Sequence, residues 1–160
     1  MIFEKYSIDE IAELLYKVVS RVTFDMTGVR SILVDAPDDY NPGQRYYTEI
    51  NRPFRCTFYT ELSPEAKKMI VENIFGEKWE NLKSVQIDDC LLEFTWIIAA
   101  RTVAELTGKS EPVKTGFPMI IFGEYEDNLE ITEPEDLYRV DFSMDGALFS
   151  VLISSGSAVT

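Results

Sequence analysis

Histidine is missing from all 160 residues. Its absence removes the commonest general base near neutral pH, the usual hydrolytic triads and most zinc sites. Cysteine is nearly as scarce. Cys56 falls in a predicted strand and Cys90 in a predicted helix, a spacing unlike a metal pair or a redox dithiol, so two buried free thiols in a reducing compartment are expected. Positive charge is also short: 15 Lys and Arg stand against 28 Asp and Glu, for a formal net charge of −13. Phosphate backbones are repelled by such a surface, so nucleic acid is not an expected partner, and the acidity by itself confers solubility. Long apolar runs are absent, which argues against membrane insertion. The start, MIFEKYSIDE, carries acids where a signal peptide has a basic and then an apolar region, so a cytoplasmic protein is expected.

What remains is a chain with 46% hydrophobic residues, enough to build a sizeable core in one domain over residues 1–160. The stretch DCLLEFTWIIAARTVAELTG, from Asp89 to Gly108, organises the rest. Leu92, Thr95, Ala99, Val103 and Leu106 recur at helical spacing, flanked by Ile87, Leu91, Phe94 and Ile98. This broad apolar arc predicts a core-facing helix ending at a left-handed Gly108. A second stripe, Asp89, Glu93, Trp96 and Ala100, shares another face, with acids and a large ring where an amphipathic helix would show mixed charge.

The same helix recurs 80 residues earlier, as DEIAELLYKVVSRVTFDMTG. Asp9, Glu13, Arg21, Thr27 and Gly28 coincide with Asp89, Glu93, Arg101, Thr107 and Gly108, and Tyr16 falls opposite Trp96. The match predicts an internal duplication with repeat helices over 8–28 and 88–108.

Along the chain, Ser7 and Glu10 predict a capping box, and Ile8, Ile11, Leu15, Val18 and Val22 a buried stripe. Residues 29–34 read as a strand and 35–43 as an exposed loop. Residues 45–50 and 54–62 read as a hairpin with Asn51, Arg52 and Pro53 in the turn. Ser63-Pro64-Glu65 starts a helix with Ala66, Met69, Ile70 and Ile74 inward and Gly76 as its stop. Residues 77–85 read as a turn or short helical piece, 109–116 as a loop, 117–125 as a strand and 126–135 as an acidic loop lacking the calcium-loop pattern. Asp145-Gly146 joins the last hairpin, 137–144 with 147–153, and the final residues read as frayed. Each long helix is followed by a strand, a loop and a hairpin. The expected fold is α+β: a mostly antiparallel sheet with two long helices against it and a pseudo-twofold repeat.

At these residues the chain resembles the chemotaxis phosphatase family that includes CheC, CheX and FliY, the CheX-like branch above all. The family signature is Asp or Ser, then Glu one helical turn on, then Asn in the next turn, and a proline in the strand that follows. Asp89, Glu93 and Pro118 match it, the proline within about one position. Length, element order and the repeat extend the resemblance over nearly the whole chain. It implies that a CheY-type receiver domain, phosphorylated on aspartate, docks on the stripe and supplies its own Mg, so that no cofactor or metal belongs to this chain. It further implies that Glu93 pairs with a receiver lysine, that Asp89, Ala100 and Pro118 line the contact, and that the protein forms a homodimer, with the strand edges around Tyr138 to Ser154 as pairing candidates. In active members the asparagine amide orients the water that attacks phosphorus, chemistry that needs no histidine.

The asparagine position is held here by Trp96, and its equivalent in the first helix by Tyr16, beside Asp9 and Glu13. An indole N–H donates one hydrogen bond and cannot accept one as a carboxamide oxygen does. Gln86 and Thr95 are near in sequence but lack the motif's spacing from Glu93. Trp96 therefore has three readings: a core residue beneath the N-terminal segment, an anchor in a receiver or subunit interface, or a substitute catalytic group. Asp89 and Glu93 have a plainer reading as solvated helix acids, Asp89 being favourable near a helix N-terminus. The functional alternatives are an aspartyl-phosphate phosphatase or receiver-binding protein and a catalytically silent adaptor or structural dimer. No phosphate loop, metal constellation or activated nucleophile supports a small-molecule enzyme.

Overall fold

The computed structural model describes residues 2–37, 43–121 and 136–155. A short helix, α1 (Ile2–Lys5), precedes α2 (Ile8–Thr27). Helix α2 begins with the expected capping box, Ser7 Oγ accepting from Glu10 N at 3.2 Å and Glu10 Oε2 from Ser7 N at 2.8 Å. Gly28, at φ 78°, ends it. Strand β1 (Ser31–Leu33) follows, then the hairpin β2 (Gln44–Arg52) and β3 (Cys56–Leu62). Asn51 and Arg52, expected in the turn, belong to β2 instead, because the ladder reaches them through a further pairing of Arg52 with Lys114. The bond between Arg52 and Pro53 is cis.

Helix α3 (Pro64–Phe75) starts on Ser63, whose hydroxyl accepts from Ala66 N at 3.1 Å, and ends at Gly76. One 3₁₀ turn (Trp79–Asn81) leads to α4 (Ser84–Leu106). The order closes with β4 (Lys114–Thr115), β5 (Met119–Ile121), β6 (Tyr138–Met144) and β7 (Ala147–Ser155). Asp145 and Gly146 both take positive φ, 53° and 89°, as a two-residue type I′ turn requires.

All the strands join one antiparallel sheet in the order β1-β6-β7-β3-β2, with β4 and β5 both on the free side of β2. The order is palindromic about the β7–β3 seam. Two helix–strand–hairpin units give this order when each lends its first strand to the other's hairpin. Helix α3, between the units, is the element that departs from the symmetry.

The helices cover one face of the sheet, where Ile11, Leu15, Val19, Leu91, Phe94 and Ile98 are fully buried against Phe58, Phe142 and Phe149. The Phe94 ring meets Phe149 edge-on at 6.1 Å, and Phe149 stacks on Phe142 at 5.3 Å. A buried hydrogen bond of 2.7 Å between Thr95 and Thr60 fixes α4 over β3. Both cysteines are buried and free.

Several sequence expectations shift. The central helix begins at Ser84, so Asp89 lies in its second turn and gains little from the helix dipole there. Ile8 and Ile74 are 51% and 38% exposed rather than buried, Ile8 being the first residue of α2 and Ile74 the last but one of α3; Val71 fills the core in place of Ile74. The segment 109–116 contains β4, and Ser154 and Ser155 lie inside β7. Strand β7 is paired on both sides, by β3 and β6, while β1 covers β6 only at Phe142, Ser143 and Met144, so within the stretch from Tyr138 to Ser154 only the start of β6 lacks a second strand partner among the described residues. The distal part of the expected 117–125 strand, the acidic loop 126–135, most of the 35–43 loop and the last residues lie outside the described residues. Among the described residues no helix is long and apolar enough to cross a membrane, and no group of three or more His, Cys, Asp or Glu side chains is placed to hold a metal ion.

Candidate functional site

Strands β4 and β5 run antiparallel to β2 as one interrupted edge strand, and the interruption builds the site. Thr115 pairs with Ile50 and Met119 with Tyr47, while Gly116, Phe117 and Pro118 leave the ladder between them. Proline has no N–H to give to a ladder, so Pro118 suits this gap. The excursion is tied down at Gly116, which donates to Glu49 O at 2.8 Å and accepts from Thr48 Oγ1 at 3.3 Å. It faces the exposed stripe of α4.

Between them lies an open groove of ≈ 510 Å³, lined by Asp89, Leu92, Glu93 and Trp96 from the helix and Thr115, Gly116, Phe117 and Pro118 from the edge. Asp89 and Glu93 are exposed, one turn apart. Trp96 is 40% exposed, which excludes the core reading, and what it meets is the β4 edge rather than the N-terminal segment. Its indole Nε1 donates to Thr115 Oγ1 at 2.8 Å. The ring's single polar atom is thus occupied, and its carbon surface faces the groove. Phe117 is 91% and Met119 50% exposed beside it.

Asp89, Glu93, Trp96 and Pro118 therefore come together as the sequence predicts, whereas half-buried Ala100 does not line the groove. Leu92, expected inside the core, is half-buried and forms part of the groove wall. Thr115 and Phe117 escaped the sequence reading because Thr115 falls in a segment that reads as a plain loop and Phe117 at the start of one that reads as an ordinary strand. A proline following an exposed aromatic, in a stretch short of regular strand pattern, was the available signal.

The two polar side chains nearest the ridge in sequence are both engaged elsewhere. Gln86 Oε1 accepts from Lys83 N at 2.9 Å at the start of the helix. The Thr95 hydroxyl is fully buried and shared between Thr60 and Leu91 O. Cys90, beneath the ridge, is no nucleophile: burial, with the nearby Glu93 charge, pushes its thiol up to about 11.

On α2, Asp9, Glu13 and Tyr16 are also exposed, Tyr16 by 36%. Glu13 lines a smaller groove of ≈ 250 Å³ with Tyr6 and Leu14 against Glu105 and Leu106, without Tyr16. Asp9 instead lies near Tyr138, whose hydroxyl is pushed above its ordinary range by burial and by that charge.

No protein-family model and no curated protein matches the sequence. Solved structures do. The chemotaxis protein CheX from Desulfovibrio desulfuricans superposes with a TM-score of 0.70 at 16% identity, over 91% of this chain and 99% of that one. CheX of Borrelia burgdorferi, solved in complex with CheY, BeF3 and Mg2+, gives 0.68 at 19% identity, over 92% and 98%. The middle domain of FliM from Vibrio alginolyticus gives 0.60 at 12% identity, over 94% of each. At these identities the likeness is one of fold, and it spans nearly the whole of both partners. The fold is that of the CheX/CheC-like chemotaxis proteins.

Proposed function

We propose that this chain docks the phosphorylated receiver domain of a CheY-type response regulator on the Asp89–Glu93–Trp96 ridge, as a cytoplasmic protein of a chemotaxis-type two-component pathway. The observation that carries the reading is the exposed acidic ridge facing an apolar groove, on a fold whose Borrelia burgdorferi representative is found in complex with CheY. Glu93 is the group that meets a receiver lysine, with Asp89 adding negative potential one turn away. Trp96, Phe117 and Pro118 supply the apolar contact that holds the two proteins together, as a half-exposed indole does in many interfaces. Any Mg2+ in the complex belongs to the receiver.

Binding, rather than hydrolysis, is the activity these residues support. In-line attack on an aspartyl phosphate needs a water held by an acceptor and a donor. Trp96 has no acceptor, and its N–H is engaged by Thr115. The experiment is to follow loss of the aspartyl phosphate from each CheY-type receiver of the source organism with and without this protein, alongside binding of the same receivers. Saturable binding with an unchanged decay rate is expected; the absence of binding to every receiver overturns the reading.

A second reading, a catalytically silent adaptor or homodimer in which Trp96 is an assembly contact, draws on the same exposed rings. Loss of a dimer in the Trp96→Ala variant, followed by sedimentation, is the outcome that favours it.

A further inference from the structure

The Asp89–Glu93 ridge has two flanks, and only one of them faces Trp96. On the other, a groove of ≈ 630 Å³ separates the ridge from the ends of α2 and α3, with Met26, Ile74, Phe75 and Asp25 among its lining residues. Ile74 and Phe75 are 38% and 39% exposed. They are nonetheless held in place, because the helix end that carries them is closed twice. Gly76, at φ 65°, donates its N–H to Glu72 O at 2.9 Å, and the Glu72 carboxylate accepts from Trp79 N at 2.7 Å. Two large apolar side chains presented on a fixed helix end lose little conformational entropy when covered, which favours a contact over a solvated surface.

Charge tells what covers them. Among the described residues lining the two grooves are Asp25, Asp89 and Glu93 and no Lys or Arg. Asp25 pairs with Arg101 at 3.6 Å, which leaves Asp89 and Glu93 as the anions of the ridge on a chain of formal charge −13. The complementary surface is a cation set between apolar side chains. We propose that the end of α3, Ile74 and Phe75, is the second half of the receiver footprint, so that the receiver straddles the ridge with its lysine on Glu93 and apolar residues in both grooves. The inference rests on the receiver-docking function proposed above and adds to it a determinant that the helix stripe does not contain. Because α3 departs from the palindromic order of the fold, it also gives the α4 ridge a flank that sets it apart from the Asp9–Glu13 stripe.

Apolar contacts at α3 are indifferent to the receiver's phosphoryl group, whereas the Glu93 side of the footprint meets the phosphorylated pocket. The Ile74→Ser/Phe75→Ser double variant is therefore expected to weaken receiver binding by about tenfold or more, and by the same factor for the free receiver and for the receiver loaded with BeF3 and Mg2+. The probes are the purified CheY-type receivers of the source organism, titrated calorimetrically in both states. Amide hydrogen exchange on the unaltered protein gives a readout independent of the variant's folding: added receiver is expected to slow exchange at residues 73–77. Binding that survives the double substitution unchanged, or exchange at 73–77 that does not slow, overturns the second grip and leaves ridge docking standing. No binding of any receiver to the unaltered protein overturns both.

Discussion

The Trp96 indole donates its N–H to the Thr115 hydroxyl at 2.8 Å, joining the exposed stripe of α4 to the interrupted strand at the sheet edge. The bond couples the two walls of the groove and takes the ring's only donor out of play. It leaves Trp96 as a half-exposed ring whose carbon surface faces the groove.

Substituting Trp96→Asn restores an amide beside Glu93 and releases Thr115. If the ridge docks receivers, the variant is expected to accelerate loss of the aspartyl phosphate from a receiver that the unaltered protein binds without effect on that rate. Phosphate release assayed on both proteins checks this. A variant that binds the receiver normally but leaves decay unchanged shows that the amide is not the missing part.

Removing the acceptor alone, with Thr115→Val, leaves the indole N–H to water, since the ring is 40% exposed. The expected stability loss is small, about 1 kcal/mol or less. The groove wall loosens, and tryptophan emission is expected to shift to longer wavelength. Denaturant melts and emission spectra on the same samples check both effects.

Deeper in the structure, Thr95 and Thr60 share a fully buried hydrogen bond of 2.7 Å between α4 and β3. Thr95→Val strands the Thr60 hydroxyl and is expected to cost about 1–3 kcal/mol, while Thr60→Val with Thr95→Val together costs less than the two single changes added. Urea unfolding of the three variants measures the coupling.

Alkaline pH is expected to destabilise the fold. Burial raises the thiol of Cys90 to about 11 and pushes Cys56, Tyr46, Tyr47 and Tyr138 upward as well. For such groups the folded state holds protons that the unfolded state has released, so their stabilising contribution is complete below the unfolded-state values and shrinks as pH rises. Lys67 acts in the opposite direction, its value lowered by burial against the pull of Asp88, but it is a single group against five. Melting temperature is expected to fall from about pH 9 towards 11, the onset set by the cysteines' ordinary range. A flat profile there contradicts this reading of the buried thiols and phenols.

Local chemistry made much of this fold legible in the sequence. Ser7 with Glu10, Ser63 with Pro64, and Asp145 with Gly146 each carry their geometry within a few residues, and each forms the cap or turn expected of it. The apolar arc of α4 likewise places Leu91, Phe94 and Ile98 inward. What the sequence hid depends on long-range partners. Ile8 and Ile74 fit a helical stripe, yet nothing local says which residues of a terminal turn the rest of the chain will cover. The start of α4 was hidden because no Ser, Thr, Asp or Asn cap precedes it; Gln86 reaches back to Lys83 N instead. At the site, Asp89, Glu93 and Trp96 were legible from helical spacing. Thr115 and Phe117 were not, because their place is fixed by Gly116 docking on β2, a pairing between segments far apart in the chain.

The central claim concerns Glu93, and charge reversal tests it most directly. CheY-type receivers of the source organism, loaded with BeF3 and Mg2+, are titrated against the unaltered protein and against Glu93→Lys. The account predicts saturable binding to the first, reduced about a hundredfold or more in the second, where two cations would face each other. Equal binding by both proteins contradicts it.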